Sequence, residues 1–95
     1  MDQASKDALT GLLNRSTLQA RVEAHLMESL GPHALMIMDL DGFKSINDCF
    51  GHMCGDAVLS DTAAALRRVF RRGDILGRIG GDEFLIFLPD VGSGA

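Results

Sequence analysis

The chain predicts an α+β fold, three strands in one sheet with helices against it. Residues 84–88 (Phe-Leu-Ile-Phe-Leu) have no polar interruption and follow Arg78-Ile79-Gly80-Gly81-Asp82-Glu83. That order reads as a β-hairpin whose Gly-Gly turn uses the positive φ that glycine reaches cheaply. The apolar run 34–38, between Pro32 and Asp39, is short for a helix and suits a buried strand. Two longer segments instead repeat their apolar residues at helical spacing.

Residues 1–8 are polar and read as a loose lead-in. In 7–15, Gly11 and Asn14 punctuate a turn, and Leu9, Leu12 and Leu13 give it something to bury. A helix follows, with Leu18, Val22, Leu26 and Leu30 as its stripe, Asn14 or Ser16 as its cap and Gly31-Pro32 as its end. After the strand 34–38, Asp39 and Asp41 would face the same way if the extended backbone persists, and Gly42 breaks it. Phe43, Ile46 and Phe50 mark a short helix that ends at Gly51. Residues 51–56 read as a loop, with Asp56 as N-cap of a helix over about 57–71. Leu59, Ala63, Leu66 and Phe70 form its buried stripe, and Gly73 stops it. Arg67, Arg68, Arg71 and Arg72 crowd its last turns, where the helix dipole favours cations. Residues 75–79 and 84–88 are the hairpin arms, Pro89-Asp90 ends the second, and 91–95 form a tail of small residues.

With 95 residues, 46% hydrophobic and 23% charged, the chain makes one domain or part of one. No apolar run approaches a membrane span and the start resembles no signal peptide, so the expected location is cytoplasmic. Cys49 and Cys54 do not have the spacing of a redox or metal-binding pair and read as reduced thiols. A net charge of −4 argues against binding a nucleic-acid polymer. His25 and His33 read as ordinary exposed residues.

Folding does not ask for two carboxylates at a hairpin tip. Asp82 and Glu83 lack a cation on their C-terminal side, and a divalent metal is the natural partner. If the first strand lies beside the hairpin, Asp39 faces the same tip. Carboxylates converging from separate elements suit a Mg²⁺ site for phosphoryl or nucleotidyl transfer, with open positions for phosphates. Lys44 could place a cation near those phosphates, Asn47 and Asp56 could read a base edge, and Gly42, Gly51 and Gly55 leave space for a ligand.

The run from Asp39-Leu40-Asp41-Gly42-Phe43-Lys44-Ser45-Ile46-Asn47-Asp48 to Gly55-Asp56, followed by Arg78-Ile79-Gly80-Gly81-Asp82-Glu83-Phe84, resembles the GGDEF family of diguanylate cyclases. The opening turn Asp7-Ala8-Leu9-Thr10-Gly11-Leu12-Leu13-Asn14-Arg15 matches that family as well. The resemblance implies a nucleotidyl-cyclase or palm-like (ferredoxin-like) sheet and Mg²⁺-dependent condensation of two GTP into cyclic di-GMP across a homodimer. It makes Asp39, the Leu40 carbonyl and Asp82 metal ligands. Asp82 also becomes the base for the ribose 3′-hydroxyl, with Glu83 as a second essential acid. Lys44 would stabilise the transferring phosphate, Asn47 and Asp56 would bind guanine, and His52 would line the pocket. Asp41 reads as a structural hydrogen-bonding partner. Arg71 and Asp74 fall where the family binds its product for inhibition: Arg71 can present a planar fork, and Asp74 can accept from a guanine edge.

The family's domain continues beyond Ala95 through a further helix and strands that carry phosphate-binding basic residues. Residues 1–95 are therefore expected to be the N-terminal portion of one domain, with its core at about 7–90. The expected parent is a diguanylate cyclase with a sensory domain on its N-terminal side. This piece by itself is expected to be weakly active or inactive, and to dimerise or exchange a strand to cover its sheet. A non-catalytic cyclic di-GMP sensor acting through Arg71 and Asp74 ranks second. A polymerase palm ranks third, disfavoured by the charge and the lack of Trp and Tyr.

Overall fold

The structure, a computed structural model, describes residues 5–91. In chain order it contains α1 (Arg15–Glu28), β1 (Ala34–Asp39), α2 (Phe43–Phe50), α3 (His52–Val69), β2 (Ile75–Arg78) and β3 (Glu83–Leu88). The strands form one antiparallel sheet in the order β1-β3-β2. The expected neighbour relation of the first strand and the hairpin is therefore present.

β3 lies in the middle, and its alternation divides the apolar residues between two faces. Phe84 and Ile86 are buried on one face with Leu59, Ala63 and Leu66 of α3 and with Leu12. Met38, Leu40, Phe43, Phe70, Leu76 and Leu88 pack around this core. The stripe expected for the second long helix thus forms as read. Its helix begins earlier, at His52, so Asp56 lies in the second turn and is not an N-cap. Gly51, at φ 91°, makes the break between α2 and α3 instead. α3 also stops at Val69, which leaves Arg71 and Arg72 beyond the helix. Arg67 and Arg68 lie in its last turn as expected, and Arg67 also donates from Nη1 to the Thr10 carbonyl at 2.8 Å.

On the opposite face α1 crosses β2. Leu18 is buried where Gly77 offers no side chain: a Cβ there would come within 2.8 Å of Leu18 Cδ2. Asn14 is the cap, its Oδ1 accepting from the Thr17 N–H at 2.9 Å. Only the first half of the predicted stripe packs, since Leu26 is exposed and Leu30 falls outside the helix. β1 likewise departs from the buried strand expected: Leu35 and Ile37 are 55% and 61% exposed. β1 pairs only with β3 among the described residues, and α1 lies toward the other side of the sheet.

The opening turn is built as the sequence suggests. Asp7 Oδ2 accepts from both the N–H and the hydroxyl of the buried Thr10, at 2.9 and 2.8 Å. The Leu13 N–H then donates to the Leu76 carbonyl at 3.2 Å and the Leu13 carbonyl accepts from the Arg78 N–H at 3.0 Å, so this turn is tied to β2. Both cysteines are free thiols. Among the described residues, no helix is long and apolar enough to cross a membrane.

Candidate active site

The hairpin tip is a loop of residues 79–82 closed by the Ile79 N–H donating to the Glu83 carbonyl at 2.9 Å. Neither Gly80 nor Gly81 adopts positive φ, contrary to the tight turn expected. The loop is held by Arg78. Its Nε donates to the carbonyls of Gly80 and Gly81, both at 3.2 Å, and its Nη2 reaches the Gly81 carbonyl at 2.8 Å. Its Nη1 meets both oxygens of Asp7 at 3.1 Å. Burial pushes the Asp7 carboxyl up, but the Thr10 and Arg78 hydrogen bonds and the Arg78 charge outweigh it and hold the group below its ordinary value. Neither residue stood out as functional in the sequence. The signal was a cation at the end of an otherwise apolar strand, and an acid that opens a Thr-Gly turn.

Gly80, but not Gly81, leaves room for a neighbouring side chain. A Cβ on Gly80 would lie 2.6 Å from Glu83 Oε1, and one on Gly81 would meet nothing within 4 Å. The tip therefore presents open backbone at Gly81 beside the acids.

Asp39 sits at the end of β1 directly opposite Glu83, so the two share one face of the sheet. The next residue, Leu40, donates its N–H to the Asp82 carbonyl at 3.2 Å. The acidic segments separated in sequence are thus neighbours at one end of the sheet. Their side chains do not form a tight triad: among the described residues, Asp39, Asp82 and Glu83 do not bring three carboxylates within 4.8 Å of one another. The Leu40 carbonyl accepts from the Phe43 N–H at 3.3 Å and keeps a second lone pair. Gly42, at φ 74°, turns the chain from β1 into α2.

α2 brings Asn47 against α3. A Cβ on the buried Gly55 would collide with Asn47 Oδ1, so the close approach needs glycine. Oδ1 is buried without a hydrogen-bond partner among the described residues. A buried acceptor left unmade is costly. Lys44 is exposed on α2, and His52 and Asp56 are exposed on the first two turns of α3.

Arg71 and Asp74 lie apart from this end, in the turn after α3. The Arg71 N–H donates to Asp74 Oδ2 at 2.8 Å, and the Asp74 N–H donates to the Arg71 carbonyl at 3.0 Å. The Arg71 guanidinium is 74% exposed, 3.7 Å from Asp74 Oδ1, whereas the Asp74 side chain is 3% exposed. That oxygen has no hydrogen-bond partner among the described residues. The pair lines a cleft of about 790 Å³ together with Arg21, Arg67 and Arg72.

A model of the family described as "Diguanylate cyclase, GGDEF domain" matches residues 4–95. The chain is 43% identical over 91 residues to the Escherichia coli (strain K12) protein named "Probable diguanylate cyclase DgcE", covering 92% of this chain and 8% of that protein. It is 44% identical over 90 residues to diguanylate cyclase DgcP of Pseudomonas aeruginosa, covering 92% and 13%. The structure superposes with TM-score 0.88 on the GGDEF domain of DgcB from Caulobacter crescentus, solved in complex with c-di-GMP, at 31% identity over 95% of this chain and 53% of that one. A sensory box/GGDEF family protein from the same species gives TM-score 0.85 at 41% identity, over 94% and 59%. The chain therefore spans 8% to 13% of the length of these curated relatives.

Proposed function

The chain belongs to the GGDEF domain family, and from that premise we propose that it is the N-terminal part of a diguanylate cyclase domain, which condenses two GTP into cyclic di-GMP. The observation that carries the reading is the joint between the two acidic segments: Asp39 opposite Glu83, and Leu40 bonded to Asp82. Two carboxylates and a backbone carbonyl are the hard oxygen donors that Mg²⁺ accepts, and a set this small leaves positions for phosphate oxygens. Asp39, the Leu40 carbonyl and Asp82 would hold the ion. When bound, it supplies charge neutralisation at the triphosphate, which a chain of net charge −4 otherwise lacks.

Each ribose 3′-hydroxyl loses its proton as its oxygen bonds to the α-phosphorus of the opposing GTP, and pyrophosphate leaves. Asp82 is the acceptor of that proton, and Glu83 is the second acid at the tip. Lys44 offsets charge on the transferring phosphate. The buried Asn47 Oδ1 gains a donor from the guanine edge, and Asp56 and His52 complete that side. Because each reaction joins two nucleotides, two domains face each other as a homodimer, a sensory domain preceding each in the full protein.

Arg78 and Asp7 position the tip by fixing the carbonyls of Gly80 and Gly81. The reading is tested by incubating GTP and Mg²⁺ with this chain joined to the segment by which its relatives continue, and following cyclic di-GMP by mass spectrometry. Product is expected from the wild type and none from Asp39→Asn or Asp82→Asn. Undiminished product from those variants would refute the assignment.

The cleft at Arg71 supports a second role, inhibition by bound cyclic di-GMP. An exposed guanidinium beside a buried, unbonded carboxylate oxygen offers phosphate and guanine their complementary groups. Arg71→Ala is expected to weaken cyclic di-GMP binding by calorimetry, and unchanged affinity would remove this role.

A further inference from the structure

His25, in the last turn of α1, His33, just before β1, and Asp90, just after β3, meet on the α1 face of the sheet, at the end away from the hairpin tip. One ligand-type atom from each lies within 4.8 Å of the other two. The histidines expected to be ordinary exposed residues are instead half-buried, their rings edge-on at 5.1 Å and both against Phe87.

We propose that His25, His33 and Asp90 form a binding site for a divalent transition-metal ion of the zinc class, distinct from the acidic centre at the hairpin tip. The hydrogen bonds to His33 Nε2 and Asp90 Oδ1 are arranged as outer partners of metal ligands usually are. His33 Nε2 lies 3.3 Å from the Ser29 carbonyl, so it carries the proton and Nδ1 keeps its lone pair. Nδ1 now accepts from the Asp90 N–H at 3.1 Å. Metal binding replaces that contact, and the exposed backbone N–H turns to water. The Ser29 hydroxyl donates to Asp90 Oδ1 at 2.8 Å and turns Oδ2 toward His25 Nε2 at 3.5 Å.

That 3.5 Å separation satisfies an ion-pair distance, yet His25 Nε2 is buried and makes no hydrogen bond to the described residues. Donors held by one tetrahedral zinc ion stand about 3.3 Å apart for bonds of about 2.0–2.1 Å, so this pair is already close to ligating separation. Two imidazoles and a carboxylate leave the fourth position to water on the exposed side of Asp90. Imidazole donors favour zinc, nickel, cobalt or copper over magnesium. An ion here would add to the Ser29–Asp90 hydrogen bond and the His25–Phe87 ring contact that join the end of α1 to the end of β3.

The test is titration of the metal-free chain with Zn²⁺ by calorimetry, with melting temperature followed in parallel. One ion per chain, a rise of several degrees reversed by EDTA, and no response to Mg²⁺ at this site are expected. His25→Gln and His33→Gln should each weaken Zn²⁺ binding by at least about tenfold, and Asp39→Asn should not. Co²⁺ absorption of the wild type gives a readout that needs no variant: ligand-field bands without a thiolate charge-transfer band are expected. Absence of Zn²⁺ binding, wild-type affinity in both Gln variants, loss of binding in Asp39→Asn, or a thiolate band from Cys49 or Cys54 would each overturn the proposal.

Discussion

The two faces of the sheet are made from one strand, and they are finished differently. Toward α3, Phe84 and Ile86 disappear into a closed core with Leu59 and Ala63. Toward α1, Leu18 covers Gly77 while Leu35 and Ile37 stand in solvent. The closed face stores the stability, and the half-covered face can accept change or a further layer. Exposed apolar area of this kind marks a surface that another element is suited to cover.

Substitutions of decreasing severity measure that contrast. Phe84→Ala empties the centre of the closed core and should cost about 3–5 kcal/mol by denaturant unfolding. A value near 1 would show that this face is as loose as the other. Asp7→Ala removes the anchor of Arg78, leaves that guanidinium without its carboxylate, and should cost about 1.5–3 kcal/mol. It should also depress cyclase activity in the extended chain by misplacing the Gly80 and Gly81 carbonyls. Gly77→Ala drives a methyl into Leu18 on the half-covered face, at about 1–3 kcal/mol, and should shift α1 signals in NMR without moving those of α3. Ile37→Ser, in the open part, should change stability by no more than about 0.5 kcal/mol.

The Asp7 anchor also gives a pH dependence with a definite sign. Its folded-state value lies below the ordinary 3.8, so the unfolded chain takes up the proton first. The contribution is fully present well above 3.8 and is lost as pH falls through that value toward the folded one. Acid unfolding monitored by circular dichroism should begin at higher pH in Arg78→Ala, whose Asp7 has lost its partner.

Much of the closed face was legible because its pattern is local. Leu59, Ala63, Leu66 and Phe70 repeat at helical spacing, and all four pack. Asn14 as cap and residues 43–50 as a short helix followed from side-chain chemistry in the same way. The departures came where the partner lies far along the chain. Leu26 and Leu30 have the correct spacing, yet both are exposed, so periodicity overstated their burial. Asp56 looked like a cap because the glycine-bearing stretch 51–56 read as a loop. Gly55 serves the approach of Asn47 across two helices, which spacing does not encode. The Gly-Gly pair suggested a turn dictated by φ, whereas the loop is shaped by the reach of Arg78. His25 and His33 were unremarkable in the sequence because only the fold brings them to Asp90.

β3 alone is flanked by a ladder on each side, with Ala34–Asp39 along one edge and Ile75–Arg78 along the other. Its successive amides point alternately to one neighbour and the other and none faces an open edge, so the slowest-exchanging protons in the molecule belong at Leu85, Ile86 and Phe87. The strand that opens at Glu83, next to Asp82, is thereby also the last to melt.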